Sequence, residues 1–246
     1  MPKNLDEFQH YFEIVAAENS ELIALSQRLR YQVYCVEHSF LNARDYPNQL
    51  EHDDYDQRAV HSLLRHRLTG LPAATVRLVL ADESEPESPF PIETCDILRR
   101  AIRDQSWRVP RHALGEISRF AVSKDFRRRL REARSSHGLA AVADRMPQNA
   151  AKGRSPHIAV GLFKAICEMS VSEHVTHWYA VMEPSLLRLL GQLGIDFTPV
   201  GSLVDYHGLR QPCIAVGEDV LNGLRRCRPE IWEFVTDGGR LQLHKH

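Results

Sequence analysis

Three groups of polar residues in this chain have the types and spacing that chemistry needs. The stretch LGEISRFAVS, residues 114–123, sets Glu116, Ser118 and Arg119 inside a run that otherwise reads as a β-strand. A carboxylate there can accept a proton, and Ser118, two residues on, shares its face in regular alternation and can donate a hydrogen bond. A second strand-like run, TVRLVL, puts Arg77 on the face of Thr75 and Val79. The loop LEHDDYDQ gathers Glu51, Asp53, Asp54 and Asp56, and the segment RYQVYCVEHSF sets Arg30 among apolar positions. Each group alone also has an ordinary reading: a solvated loop, a half-exposed strand, or an arginine paired with a nearby acid. In a regular strand Arg119 points away from Glu116 and Ser118, unless a bulge turns it.

The elements that would hold these residues follow from periodicity. YFEIVAA is a first strand, and Ser20 is placed to cap ELIALSQRLRYQVYCVEH, where Leu22, Leu25, Leu29, Val33 and Val36 recur at helical steps. AVHSLLRHR and AATVRLVLA are two strands joined at LTGLP as a hairpin-like pair. ADESEPESPFPIE is acidic and proline-rich, hence a loop. HIAVGLFKAICEMSVSEH is apolar nearly all round apart from Lys164 and Glu168, which describes a buried helix. THWYAVME is a strand, Pro184 opens and Gly194 ends a helix over PSLLRLLGQLG, DFTPVGSLVDYHGLRQPCIAVG gives two more strands, and PEIWEFVTDG a last short helix. The order is α/β with three strands in succession, so the sheet is mixed. One domain over residues 1–246 is expected, with a polar, basic insertion at about 124–156.

Composition excludes several classes. A net charge of −1 provides no global field for nucleic acid or an anionic membrane. The five cysteines are scattered and lack CxxC spacing, which indicates a reducing compartment with neither disulfide frame nor zinc site. His61, His66, His174, His177 and His207 form no zinc pattern, so no metal is expected. The N-terminus lacks an apolar signal region, and the longest apolar run, broken by Lys164, falls short of the roughly 20 residues that span a bilayer. A cytoplasmic protein without a transmembrane segment is the expectation. No GxGxxG or P-loop pattern sits at a strand–helix junction.

Taken in order, Arg30-x3-Tyr34-x5-Phe40, Glu51-x-Asp53-x-x-Asp56, the strand Arg77 and Glu116-x-Ser118-Arg119-Phe120 resemble the signature of the acyl-homoserine-lactone (autoinducer) synthases. Over most of the chain, RLRYQVYCVEH, the DDYDQRAVHSLLRHR strand pair, EISRFAVSK and THWYAVMEPSLLRLLGQLGIDFTPVGSLVDYHGLRQPC are similar to the acyltransferases associated with PEP-CTERM/exosortase systems, relatives of the autoinducer and N-acyl amino acid synthases. The resemblance implies a GNAT-like three-layer fold with a mixed, splayed sheet flanked by helices. It implies transfer of a fatty acyl group, long-chain by expectation, from acyl carrier protein or acyl-CoA to the amine of a small metabolite such as an amino acid. The alternatives it leaves are an autoinducer synthase using S-adenosylmethionine and a non-catalytic acyl-binding module.

On this reading Glu116 is the candidate base, or else only a partner to an arginine, and Ser118 a donor to substrate. Arg30, Asp53, Asp56, Arg77 and Arg119 form an ion-pair cluster shaping the acceptor site. Phe120, Ala121, Val122 and Val181 line the acyl group, and Lys152 or Arg154 assists at a phosphate. The phenols of Tyr179 and Tyr206 are candidates to protonate the leaving thiolate. There are two departures: Tyr34 and Phe40 stand where autoinducer synthases have Phe and Trp, and KGRSPHIAVG replaces the usual coenzyme-A loop. The second suits a phosphopantetheine presented by a carrier protein, which the basic run Arg127–Arg134 could dock. No permanently bound cofactor is implied.

Overall fold

A computed structural model of the chain describes residues 8–94, 99–100, 109–124, 126, 156–206 and 208–243. The runs of alternating and β-branched residues become β1 (Phe12–Ala16), β2 (Ala59–His66), β3 (Pro72–Leu80) and β4 (Leu114–Val122), each antiparallel to the next. The hairpin expected at LTGLP joins β2 to β3, with Gly70 at φ +67° making its turn. β5 (His177–Met182) lies parallel to β4, and β8 (Leu209–Val216) antiparallel to β5. Two short pieces, β6 (Thr198–Pro199) and β7 (Val204–Asp205), pair with β8. The sheet is mixed, in the order β1-β2-β3-β4-β5-β8-β6.

The sheet departs from regularity at its centre. The parallel pairing of β4 with β5 runs from Leu114↔His177 to Ile117↔Ala180 and stops. β4 continues to Val122 and β5 to Met182, so the two strands splay apart at the centre of the sheet.

Helices cover both faces. On one lies α1 (Ser20–Tyr31), capped by the Asn19 side chain, which accepts from the Leu22 N–H at 2.9 Å, and not by Ser20. The helix expected to run on to His38 widens its hydrogen-bond step: Gln32–Glu37 is π-helical, the His38 N–H reaching back to the Val33 carbonyl at 3.1 Å. α1 is tied to the sheet through a buried hydroxyl pair, Ser26 and Thr75, at 2.7 Å. On the opposite face α2 (Pro156–Ser172) is apolar all round because it is enclosed. Leu162, Phe163 and Ile166 share one core with Leu64, Val76 and Leu78 of the sheet and with Phe234.

Pro184 opens α3 (Pro184–Gln192) as expected, and Gly194 follows it at φ +81°. α4 (Gly217–Cys227) is a helix that the sequence reading did not anticipate, and α5 (Pro229–Val235) closes the described chain. In α4 the buried residues Val220, Leu221 and Leu224 recur at helical steps, but between polar neighbours and with no capping side chain at Val216. Of the insertion at 124–156, the arginines 127–134 together with Lys152 and Arg154 lie outside the described residues.

Candidate active site

Arg30, on the last turn of α1, is fully buried, an expensive position for a guanidinium unless its charge is matched. Its Nε bonds the Glu51 carboxylate, and its two Nη atoms hold Asp56 at 2.7 and 3.1 Å. Arg77, 1% exposed on β3, donates to Asp56 at 2.8 Å and to Asp53 at 2.5 and 3.1 Å. Arg119 on β4 reaches Asp53 at 2.8 Å and Glu51 at 3.0 Å. Three arginines and three carboxylates thus alternate in a closed ring: Arg30, Glu51, Arg119, Asp53, Arg77, Asp56 and back to Arg30. Each charge touches two of the opposite sign, so the formal charges of the ring cancel. Burial alone would raise the carboxyl pKa values, yet the arginines hold Glu51, Asp53 and Asp56 below the ordinary carboxylate range, Asp56 furthest. Local chain geometry presets the acids. Asp53 caps the turn Asp54–Arg58 by accepting from the Tyr55 N–H at 3.0 Å, while Asp56 accepts from the Asp53 N–H at 2.9 Å.

The structure therefore brings together all five residues expected to form the ion-pair cluster, and adds Glu51, which is fully buried between Arg30 and Arg119. The signal for Glu51 was present in the E-x-D-x-x-D spacing, but spacing alone does not say that this acid bridges two arginines.

Arg119 joins the ring through a bulge. Thr75 stands opposite Ala121 and Arg77 opposite Ser118, so Arg119 and Phe120 together fill the place facing Val76. Arg119 absorbs the extra residue at φ +52°, a conformation that costs a non-glycine residue about 1–3 kcal/mol. The consequence is a sorting of faces. Arg119 turns toward Ser118 and the ring, while Phe120 and Val122 pack against the core around α2. Ser118 accepts from Arg77 Nε at 2.9 Å.

Glu116 stands apart from the ring. It is 4% exposed, and its Oε2 accepts from the Ile92 N–H at 2.8 Å. Burial pushes its carboxyl up to about 8; the Ile92 N–H and the Arg77 and Arg119 charges oppose this without overcoming it. The residue that supplies the N–H belongs to a single helical turn, Pro91–Thr94, within the segment read as a loop.

A cavity of about 480 Å³ runs past these groups, within the range of small-molecule sites. At one end it is lined by Asp53, Arg77, Glu116, Ser118 and Arg119, with Tyr34 and Tyr55. At the other it is lined by Ala159, Phe163 and Ile166 of α2, Leu186 and Leu190 of α3, and Phe197. The polar residues belong to the α1 face of the sheet and the apolar ones to the α2 face. The cavity passes from one to the other where β4 and β5 separate. Phe120, Ala121, Val122 and Val181 all line it, as expected of an acyl-binding wall. Of the two phenols, Tyr206 lines the cavity, whereas Tyr179 packs edge-on against Phe90, with ring centroids 6.0 Å apart, and has its pKa raised to about 12 by burial. Arg210 stands at the rim over the Phe40 ring at 5.2 Å, a residue that the sequence reading did not single out. Among the described residues no group of acids, histidines or cysteines is arranged to hold a metal ion, and no helix is long and apolar enough to cross a membrane.

A central sheet splayed between its fourth and fifth strands, with helices on both faces, is the GNAT acyltransferase fold. A model of the acetyltransferase (GNAT) domain matches residues 29–134, a span that includes the whole ring and Glu116. Among solved structures the chain is similar to the acyl-homoserine-lactone synthase LasI (14% identity, TM-score 0.55, covering 83% of this chain and 88% of that one). It is similar to BjaI, a CoA-dependent acyl-homoserine-lactone synthase solved with SAM and isopentyl-CoA (16% identity, TM-score 0.56, 96% and 92% covered). It is also similar to FeeM, an N-acyl amino acid synthase from uncultured soil microbes (14% identity, TM-score 0.52, 86% and 94% covered). At these identities the likeness establishes the fold. No curated protein matches the chain by sequence.

Proposed function

We propose that the protein is an N-acyltransferase that moves a long-chain fatty acyl group from a thioester, of acyl carrier protein or coenzyme A, to the amine of a small metabolite such as an amino acid. The observation that carries this reading is the cavity crossing the sheet at the splay. It offers a titratable carboxyl on one face, an apolar tunnel on the other, and the open edge of β4 between them. Beyond Ile117 that edge is released from β5, so its backbone N–H groups can meet a thioester carbonyl placed in the gap. The fatty chain then lies among Ala159, Phe163, Leu190 and Phe197, and the amine approaches from the side of Asp53 and Arg119.

The reaction replaces a C–S bond by a C–N bond. Glu116, as carboxylate, takes a proton from the attacking ammonium. The amine nitrogen adds to the carbonyl, the C–S bond breaks, and the thiolate is protonated by the Glu116 carboxylic acid just formed or by Tyr206. The second nitrogen proton passes to whichever of the two has given up its own, and one proton leaves to solvent. A group with a pKa of about 8 suits both halves of this exchange near neutral pH. The two neighbours that bind thioester or amino acid chemistry by name, BjaI and FeeM, support the same class of donor and acceptor here.

Mass spectrometry of lipid extracts from cells expressing the protein tests this. A new N-acyl amino acid, lost in the Glu116→Gln variant, is the expected result. An acyl lactone would move the assignment to an autoinducer synthase, and no product in any extract would favour a non-catalytic acyl-binding protein.

A further inference from the structure

Glu116 receives its hydrogen bond from a backbone N–H, and a backbone donor is only as well placed as the segment that carries it. The segment 81–94 is acidic and proline-rich, a composition with little intrinsic structure. Yet Phe90 is fully buried in it and Ile92 is 1% exposed. Three arginines hold it there, Arg99 by donating to the Glu93 carbonyl at 2.7 Å. Arg58 donates to the Leu80 and Pro89 carbonyls at 2.7 and 2.6 Å. Arg111, in the turn that leads into β4, grips the Glu93 carboxylate with both Nη atoms at 2.6 and 2.9 Å and donates to the Ser88 carbonyl at 2.7 Å. Its guanidinium lies 4.7 Å from the Phe90 ring centroid, while Glu93 also accepts from the Phe90 N–H at 2.8 Å.

We propose that Arg111 is a positioning residue for Glu116: with Glu93 and Phe90 it forms a strut that presents the Ile92 N–H to the carboxylate. The strut begins five residues before Glu116 in the chain and returns to it through the turn Pro91–Thr94. The charged and titratable groups facing Glu116 are Arg77 on β3, Arg119 on β4, Tyr179 on β5, Tyr55 in the turn after Asp53, and Glu93 itself. Arg111 neutralises Glu93, the one carboxylate among them, so it acts on Glu116 twice, by holding the donor and by cancelling a like charge. The inference takes Glu116 as the proton-transfer group of the proposed reaction.

The test reads the protonation of Glu116 directly, by following its carboxyl infrared band with pH in the full chain, identified by its absence in Glu116→Gln. In Arg111→Gln the midpoint is expected about one pH unit higher, the worth of one charge-assisted hydrogen bond, and below that midpoint kcat/KM falls about tenfold. Ile92→Pro, which deletes the N–H at a helix-start position, is expected to move it in the same direction, and Arg111→Lys to restore part of the shift. A midpoint unmoved in folded Arg111→Gln, or in Ile92→Pro should the first variant not fold, overturns the strut. Retention of full activity by Glu116→Gln would instead refute the catalytic reading while leaving the infrared result to decide the strut.

Discussion

A carboxyl that the fold holds at about 8 stores a cost that the wild-type protein carries for its site, and the cost has a pH signature. The ordinary glutamate value is 4.5, so between about 4.5 and 8 the native protein binds a proton at Glu116 that the unfolded chain has released. Stability falls with pH wherever the native state binds more protons. The favourable condition is therefore the acid side: the full stability is present below about 4.5 and is lost progressively as pH rises to about 8. At 1.36 kcal/mol per pH unit the loss is about 3–5 kcal/mol for a side chain this deeply buried. Glu116→Gln has nearly the shape of the protonated acid, keeps an oxygen for the Ile92 N–H, and cannot ionise. Its melting temperature is expected to match wild type near about pH 5 and to exceed it by roughly 10 °C near about pH 8.5, at about 2–4 °C per kcal/mol for a chain of this size. Melts of both proteins across that range, by circular dichroism, decide it. A difference that stays constant with pH, or a variant less stable than wild type throughout, would refute a buried, protonated Glu116. Gain of stability with loss of acyl transfer would be the mark of a residue kept for function.

Two further perturbations read other parts of the site. Asp56→Asn opens the six-membered ring and leaves Arg30 and Arg77 sharing one charge too few in a buried setting, so a loss of about 3–5 kcal/mol is expected, seen as a melting temperature lower by 10 °C or more. Ala159→Phe puts a ring into the apolar end of the cavity, where Ala159 is 4% exposed, and is expected to shift the acyl products toward shorter chains in the mass spectrum with the total amide formed less affected.

The Glu116 stretch shows how far local sequence carries an argument. Alternation put Glu116 and Ser118 on one face of a strand, and the structure keeps them there because a strand's period of two is a local property. The same rule sent Arg119 to the far face. It was overruled by a bulge, which is a feature of the pairing between β3 and β4 and leaves no mark in the residues of β4 alone. The identity of Arg30, Asp53, Asp56 and Arg77 as one cluster was legible from their order in the chain. The closure of the ring through Glu51 was not, since it depends on which guanidinium reaches which carboxylate across α1, β3, β4 and a loop. α4 was missed for a related reason: its three buried apolar side chains, Val220, Leu221 and Leu224, are too few among polar ones to announce a helix until Leu243 and α5 pack against it.

What the sequence by itself determined is the chemistry available and the strands and main helices that carry it, because hydrophobic periodicity, turn residues and proline positions act within a few residues. What only the tertiary structure decided is how that chemistry is tuned. The splay of β4 from β5, the passage of the cavity between the two faces, and the burial that lifts Glu116 while the ring keeps three other acids ionised all come from contacts between residues far apart in the chain. Electrostatics inside a protein depends on distance and desolvation, and neither quantity exists until the chain is folded.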